Sequence, residues 1–117
     1  MQNNLLLNLE QEALQLLLRR HQLLLGQLHN ATITKREFTG VGFYTYFHVD
    51  QVVSCEEDMH ISGVGGKLNN SIQIGFLLFV KKGKLSCLEG FTYDDPWPDS
   101  IGSYEVFVHP SYAGSEG

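Results

Sequence analysis

Ile72-Gln73-Ile74-Gly75-Phe76-Leu77-Leu78-Phe79-Val80-Lys81-Lys82-Gly83-Lys84-Leu85-Ser86-Cys87-Leu88-Glu89-Gly90-Phe91-Thr92-Tyr93 is the stretch that decides the fold. Two apolar runs flank a lysine-glycine turn, and Gly83 supplies the positive φ that a short hairpin loop needs. With Lys82 and Gly83 as the loop, Lys81 pairs with Lys84 and Val80 with Leu85. Continuing outward, Leu78 meets Cys87, Phe76 meets Glu89, Ile74 meets Phe91 and Ile72 meets Tyr93. Side chains alternate between the two faces of a strand. Val80, Leu85, Leu78, Cys87, Phe76, Ile74, Phe91, Ile72 and Tyr93 therefore form the expected core face, with Glu89 as its one charged member. Phe79, Leu77, Gly75, Ser86, Leu88, Gly90 and Thr92 share the other face, which is less apolar.

Working outward, Asp94-Asp95-Pro96-Trp97-Pro98-Asp99 follows the second strand. Each proline fixes its own φ and biases the preceding residue to extended geometry, so this reads as a rigid acidic loop around the only tryptophan. Phe38 to Val49 reads as a strand. Val41, Phe43, Thr45, Phe47 and Val49 should look into the core, and Gly40, Gly42, Tyr44, Tyr46 and His48 outward. Asn30 to Glu37 is polar and suits a loop. Gln51 to His60 is a connection with the acidic run Glu56-Glu57-Asp58, and Ile61 to Leu68 a short glycine-rich strand. Asn69-Asn70-Ser71 makes a turn, Ser103 to Val108 a last strand, and residues 109–117 a flexible tail.

Residues 5–29 read as one long helix, rich in leucine and glutamine and without proline. Its apolar arc spans roughly 220°, against the ~100° that a helix resting on a sheet needs. Either a strongly curved sheet wraps it, or the chain forms a homodimer through it. One helix followed by about five strands with no helices between them means an antiparallel sheet. The expected architecture is α+β: a long N-terminal helix on a strongly curved antiparallel sheet, with a half-closed barrel as the variant.

At 117 residues, with 43% hydrophobic and 11% aromatic content, the chain is long and apolar enough for a single globular domain, taken as 1–117. A net charge of -5 argues against a nucleic-acid backbone and permits a basic protein partner. Met1-Gln2-Asn3-Asn4 lacks a basic n-region, and Glu10, Gln11 and Glu12 interrupt the apolar run. Neither a secretory leader nor a membrane span is expected. Cys55 and Cys87 have no metal-ligand spacing and read as reduced cytosolic thiols.

Glu89, if buried on the core face, would suit a general acid or base; the alternative is a carboxylate tied to a tyrosine or backbone donor. Asp94, Asp95 and Asp99 match no cation loop. Trp97 either plugs the core or anchors a partner, and the plug is preferred because the ring follows a strand whose expected core face ends in Phe91 and Tyr93. Tyr44, Tyr46 and His48 form the better binding candidate, because aromatic side chains on an outer sheet face stack ligands or anchor proteins; the alternative is that the long helix covers this stripe, which would make it the core face. His48 and Asp50 share that face. The histidines lack ligand spacing, no nucleophile elbow is present, and Gly63-Val64-Gly65-Gly66 opens no helix that would cradle phosphate. No metal and no cofactor are expected.

Arg36-Glu37-Phe38-Thr39-Gly40-Val41-Gly42-Phe43-Tyr44-Thr45, Gly75-Phe76-Leu77-Leu78-Phe79-Val80 and Leu85-Ser86-Cys87-Leu88-Glu89-Gly90-Phe91-Thr92-Tyr93-Asp94-Asp95-Pro96-Trp97-Pro98 resemble a group of small bacterial proteins of unassigned function. The resemblance implies a bacterial, cytoplasmic, stand-alone domain and carries over no activity. The expected function is a non-catalytic interaction protein, immunity-like or regulatory, binding through Tyr44, Tyr46, His48, Asp94, Asp95, Trp97 and Asp99. The alternatives are a small-ligand binder using the helix–sheet cavity, and an enzyme using Glu89.

Overall fold

The structure is a computed structural model that describes residues 3–50 and 58–109, with side chains from Asn8 onward. Two helices, α1 (Asn3–Leu17) and α2 (Gln22–Gln27), precede the strands β1 (Thr32–Phe38), β2 (Gly42–His48), β3 (Met59–Leu68), β4 (Ile72–Lys81), β5 (Lys84–Thr92) and β6 (Tyr104–Val108). The strands form one sheet in the order β1-β2-β5-β4-β3-β6, and every neighbouring pair is antiparallel. Strands β3, β4 and β5 follow one another by hairpins while β2 returns beside β5, which is a Greek-key path. The α+β class and the antiparallel sheet stand as read from the sequence. No helix among the described residues is long and apolar enough to cross a membrane.

The expected single helix over 5–29 is two. The polar triplet Arg19-Arg20-His21 interrupts the apolar arc, and Arg19 closes α1 by donating from Nη1 to the Leu16 carbonyl at 2.8 Å. A straight helix over that span would run about 37 Å. That is nearly the whole 40 Å length of the molecule. The break instead turns α2 back onto β5.

There is also one strand more than expected, because Thr32–Phe38 pairs with β2 instead of looping. Its Lys35-Arg36-Glu37 run looked like a loop, but charge is how an edge strand discourages further pairing. The Lys82-Gly83 turn is as expected, with φ of 52° and 76°, and so are the pairs Lys81–Lys84 and Val80–Leu85. Beyond them the expected register fails. Ser86 is an extra residue on β5, so Phe79 pairs with Cys87 and Leu78 with Leu88. A bulge of this kind shifts every later side chain to the opposite face. Leu88, Gly90 and Thr92 consequently face inward, while Cys87, Glu89, Phe91 and Tyr93 belong to the outer face. The expected core placement of those four residues is corrected here.

Both helices lie on one face of the sheet. The core joins Leu9, Ala13, Leu14 and Leu17 of α1 and Leu18 just after it to Phe43, Ile74, Phe76, Leu78, Val80 and Leu88. On β2 the inward set Phe43, Thr45 and Phe47 is as expected, with Val49 just beyond it, but Val41 is exposed in the preceding turn. Gly90 has no side chain because the Phe43 ring lies over it; an added Cβ would sit 2.5 Å from that ring.

The sheet wraps α1. Glu10 is tied to Arg36 on β1, and Glu12 accepts a hydrogen bond from Tyr104 on β6. Residues two apart on a helix point about 200° apart. Two such residues can touch the two edge strands only if the sheet curves around the helix between them. Extra residues on β1 at Thr34 and on β3 around Gly63 add bulges to the one at Ser86, and bulges bend and twist strands.

Candidate binding face

The face of the sheet turned away from the helices is covered by no described element. Register across the strands sorts it into rows. One row runs Lys35, Tyr46, Cys87, Phe79, His60 across β1, β2, β5, β4 and β3. The next runs Glu37, Tyr44, Glu89, Leu77. A third joins Phe91, Gly75, Gly65 and Phe107. Tyr93 is 59% exposed and Phe107 39% exposed, whereas Tyr44, Tyr46, Leu77, Phe79 and Phe91 are half-buried against one another.

Local pairings stiffen the face. The Tyr44 and Tyr46 rings stack with centroids 6.3 Å apart and planes 24° apart. Phe91 and Tyr93 meet edge to face at 5.5 Å, and both rings lie over Gly75, where an added Cβ would come within 2.8 Å of Phe91 and 2.6 Å of the Tyr93 hydroxyl. Lys35 binds Glu37 at 2.9 Å and rests its Nζ 5.8 Å from the Tyr46 ring centre. The Tyr46 hydroxyl donates to Glu37 at 3.1 Å. Those hydrogen bonds, led by the one from Lys35, hold the Glu37 carboxyl below its usual range.

Glu89 sits half-buried in the middle of this face, beside Tyr44 on β2 and Leu77 on β4. It was expected opposite Phe76 in the core; the Ser86 bulge puts it here. Its charge is the largest cause raising the Tyr44 pKa, followed by burial and by a hydrogen bond from the phenol to that carboxylate. Cys87 is buried in the middle of the first row, and burial, reinforced by the Glu89 charge, pushes its thiol up to about 11. It is a neutral thiol at physiological pH, not a nucleophile. Cys55 lies outside the described residues.

The structure brings Tyr44, Tyr46 and His48 together on the outer side of β2, as expected. His48 and Asp50 pair at 2.9 Å at the end of that strand, both exposed. Asp94, Asp95 and Asp99 are exposed on the loop after β5 and do not join the face. No group of three or more His, Cys, Asp or Glu among the described residues converges on a point.

Trp97 is a plug. Its ring packs on the core and meets Phe43 edge to face at 5.3 Å. The reason differs from the one expected, since Phe91 and Tyr93 face outward; the plug closes on Phe43 of β2. Backbone bonds pin the loop there, from Trp97 N–H to the Gly40 carbonyl at 2.9 Å and from Thr92 N–H to the Val41 carbonyl at 2.8 Å. The Thr92 hydroxyl bonds the Asp95 carbonyl as well.

Sequence reasoning missed Glu10 and Gln27. Glu10 is 2% exposed, accepts from Arg36 Nη2 at 2.6 Å and also accepts from the Thr45 hydroxyl. Gln27 is buried under the β4–β5 turn, donating to the Gly83 carbonyl at 2.7 Å and accepting from Leu85 N–H at 3.0 Å. The signal was present. Glu10 falls at helical spacing among Leu6, Ala13 and Leu17, and a polar group inside an apolar arc must have a buried partner.

No family model, no curated protein and no solved structure matches the chain.

Proposed function

We propose that this is a non-catalytic binding protein that engages a protein partner through the outer face of its sheet. The observation that carries the reading is Glu89, a half-buried carboxylate framed by Tyr44, Tyr46, Leu77 and Phe91 on a face no described element covers. A carboxylate among aromatic rings suits a cationic side chain, attracted by the charge and by the ring faces together. Aromatic residues packed around a central polar contact are what concentrates binding energy at interfaces. The net charge of -5 favours approach of a basic partner. In this proposal the protein works in the bacterial cytoplasm, the setting that the sequence resemblance implies, as an immunity-like or regulatory partner.

The enzyme reading has less behind it. Among described side chains Glu89 faces the Tyr44 phenol, which that carboxylate's charge and burial keep protonated as its hydrogen-bond donor, and no cluster of three His, Cys, Asp or Glu stands around it. Trp97 leaves the list of contact residues, because its ring is committed to Phe43.

The test is affinity capture from an extract of the protein's own cells, with wild type, Glu89→Lys and Tyr46→Ala compared at equal folded concentration. One discrete partner should be retained by wild type and lost by both variants. Capture unchanged by both substitutions, with folding intact, would remove the outer face from consideration.

A further inference from the structure

Gly65 of β3 and Gly75 of β4 pair side by side on the outer face, with Phe107 of β6 next to Gly65 and Phe91 of β5 next to Gly75. The Phe91 and Tyr93 rings lie over Gly75, but no described ring lies over Gly65. A Cβ added there would meet only the Phe107 ring at 3.8 Å and the Ile74 carbonyl oxygen at 3.1 Å. Gly65 has no positive φ that would call for glycine. The missing side chain leaves a cleft of about 490 Å3 between Tyr93 and Phe107. A second depression, of about 300 Å3, continues from Tyr93 along Phe91 and Leu77. Leu77 is the β4 neighbour of Glu89, so the two depressions lead from Gly65 to the residue beside that carboxylate.

A ring seated over Gly65 would be about 4.8 Å from the Gly75 and Phe107 positions on either side. That is inside the range of about 4.5–7 Å in which aromatic rings pair. Lys67, Gln73 and His109 also line the cleft. Such mixed surroundings suit one compact ring between two aromatic walls, not a long alkyl chain. Glu89 supplies a second anchor. Among the described residues its carboxylate has a phenol donor, Tyr44, and no ion-pair partner. Glu89 and Gly65 lie two strands and two residues apart, or roughly 12 Å along the sheet. In an extended chain, residues four apart point the same way and are about 13 Å apart.

We propose that the partner meets this face with an extended segment carrying a phenylalanine or tyrosine four residues from an arginine or lysine. The ring sits over Gly65 between Tyr93 and Phe107, and the cation sits on Glu89. The residue midway between them faces Leu77 and Phe91. The proposal rests on the outer-face reading and adds to it a second anchor and a spacing.

The probe is the acetylated and amidated peptide Thr-Arg-Thr-Val-Thr-Phe-Thr, titrated into the full chain and followed by amide NMR shifts. The control, Thr-Arg-Thr-Thr-Phe-Val-Thr, has the same composition but places the ring three residues from the arginine, on the opposite side. Shifts should saturate around Gly65, Gly75 and Glu89, and the control should bind at least about fivefold more weakly. Tyr93 and Phe107 are 59% and 39% exposed, so serine at either leaves the protein folded. Tyr93→Ser and Phe107→Ser should each weaken the peptide about tenfold. Neither should matter once the peptide's phenylalanine is serine. Glu89→Gln should weaken the peptide about fivefold, and should not matter once its arginine is glutamine. Loss with Glu89→Gln but with neither ring variant would overturn the cleft and leave the outer face standing. Shifts confined to the helix side would overturn both. No saturable shift at millimolar peptide, or equal binding of the control, would overturn the proposed segment. Phenylalaninamide binding the cleft as tightly as the peptide would overturn it too, in favour of a small-molecule site.

Discussion

At the scale of single residues, polar groups placed inside apolar surroundings do most of the specifying. Glu10, Arg36 and Thr45 close a buried cluster between α1 and the sheet edge. Arg36→Met would leave the Glu10 carboxylate buried and unpaired, at a cost of about 3–5 kcal/mol. The triple change Glu10→Leu, Arg36→Met, Thr45→Val removes every partner together and should recover most of that loss. Urea unfolding of the two variants checks the pair; equal destabilisation would mean the cluster contributes more than charge compensation. Trp97 is the second case. Its indole N–H is buried without a partner among the described residues, while its ring fills the end of the core against Phe43. Trp97→Ala should cost about 3 kcal/mol. Trp97→Phe keeps an aromatic ring and removes the unpaired donor, so it should cost far less. In the wild-type protein Trp97 fluorescence should be blue-shifted and poorly quenched by iodide.

At the scale of elements, what was legible followed from local chemistry, and what was not followed from tertiary context. Gly83, Asn69 and Asn70 are residues suited to positive φ, and φ is positive at all three, with Lys82 held in the same region beside Gly83. Strand β2 alternates cleanly, which leaves two faces to choose between, and the structure turns Phe43, Thr45 and Phe47 toward the helices. Strand β5 does not alternate: Leu85 and Leu88 are three apart, and only an extra residue can turn both inward. That spacing was readable as a bulge signal, yet strict alternation put Glu89 in the core and so misplaced the main candidate. Strand β1 was hidden because edge strands resemble loops in composition. The helix break was hidden because leucine continues on both sides of Arg19-Arg20-His21. Gln27 shows what the break achieves, since its amide satisfies two backbone groups at the β4–β5 turn. Gln27→Leu should therefore cost about 2–4 kcal/mol by orphaning both. Amide exchange at Leu85 should accelerate in that variant; an unchanged rate would mean water replaces the side chain.

At the scale of the whole molecule, curvature decides how the apolar surface is shared out. The ~220° arc over 5–29 suggested self-association because a flat sheet covers only one side of a helix. The sheet instead curves until both of its edges reach α1, through Glu10 on one side and Glu12 on the other. The break then spends the remaining leucines on β5, and Leu23, 70% exposed, is the one described helix leucine left largely in water. An isolated exposed leucine is ordinary for a monomer. The curved sheet thus takes up the described part of the arc from Asn8 onward, and light scattering at micromolar concentration should give the 13.2 kDa monomer. A mass near twice that, abolished by Leu23→Glu, would restore the helix interface; a dimer abolished by Tyr93→Arg would place it on the outer sheet face. The β6 tie adds a pH signature. Hydrogen bonding to Glu12, with burial and that carboxylate's charge, raises the Tyr104 pKa from 10 to about 12. A phenol held protonated in the folded chain contributes stability that is fully present below about pH 10. That contribution is lost as pH rises through the folded value. The phenol is largely exposed, so solvent screens the effect and it is small. Between pH 9 and 12 the wild type should lose stability more steeply than Tyr104→Phe, which cannot ionise there. Parallel stability curves over that window would show that the Tyr104–Glu12 contact does not hold the β6 edge against α1 in solution.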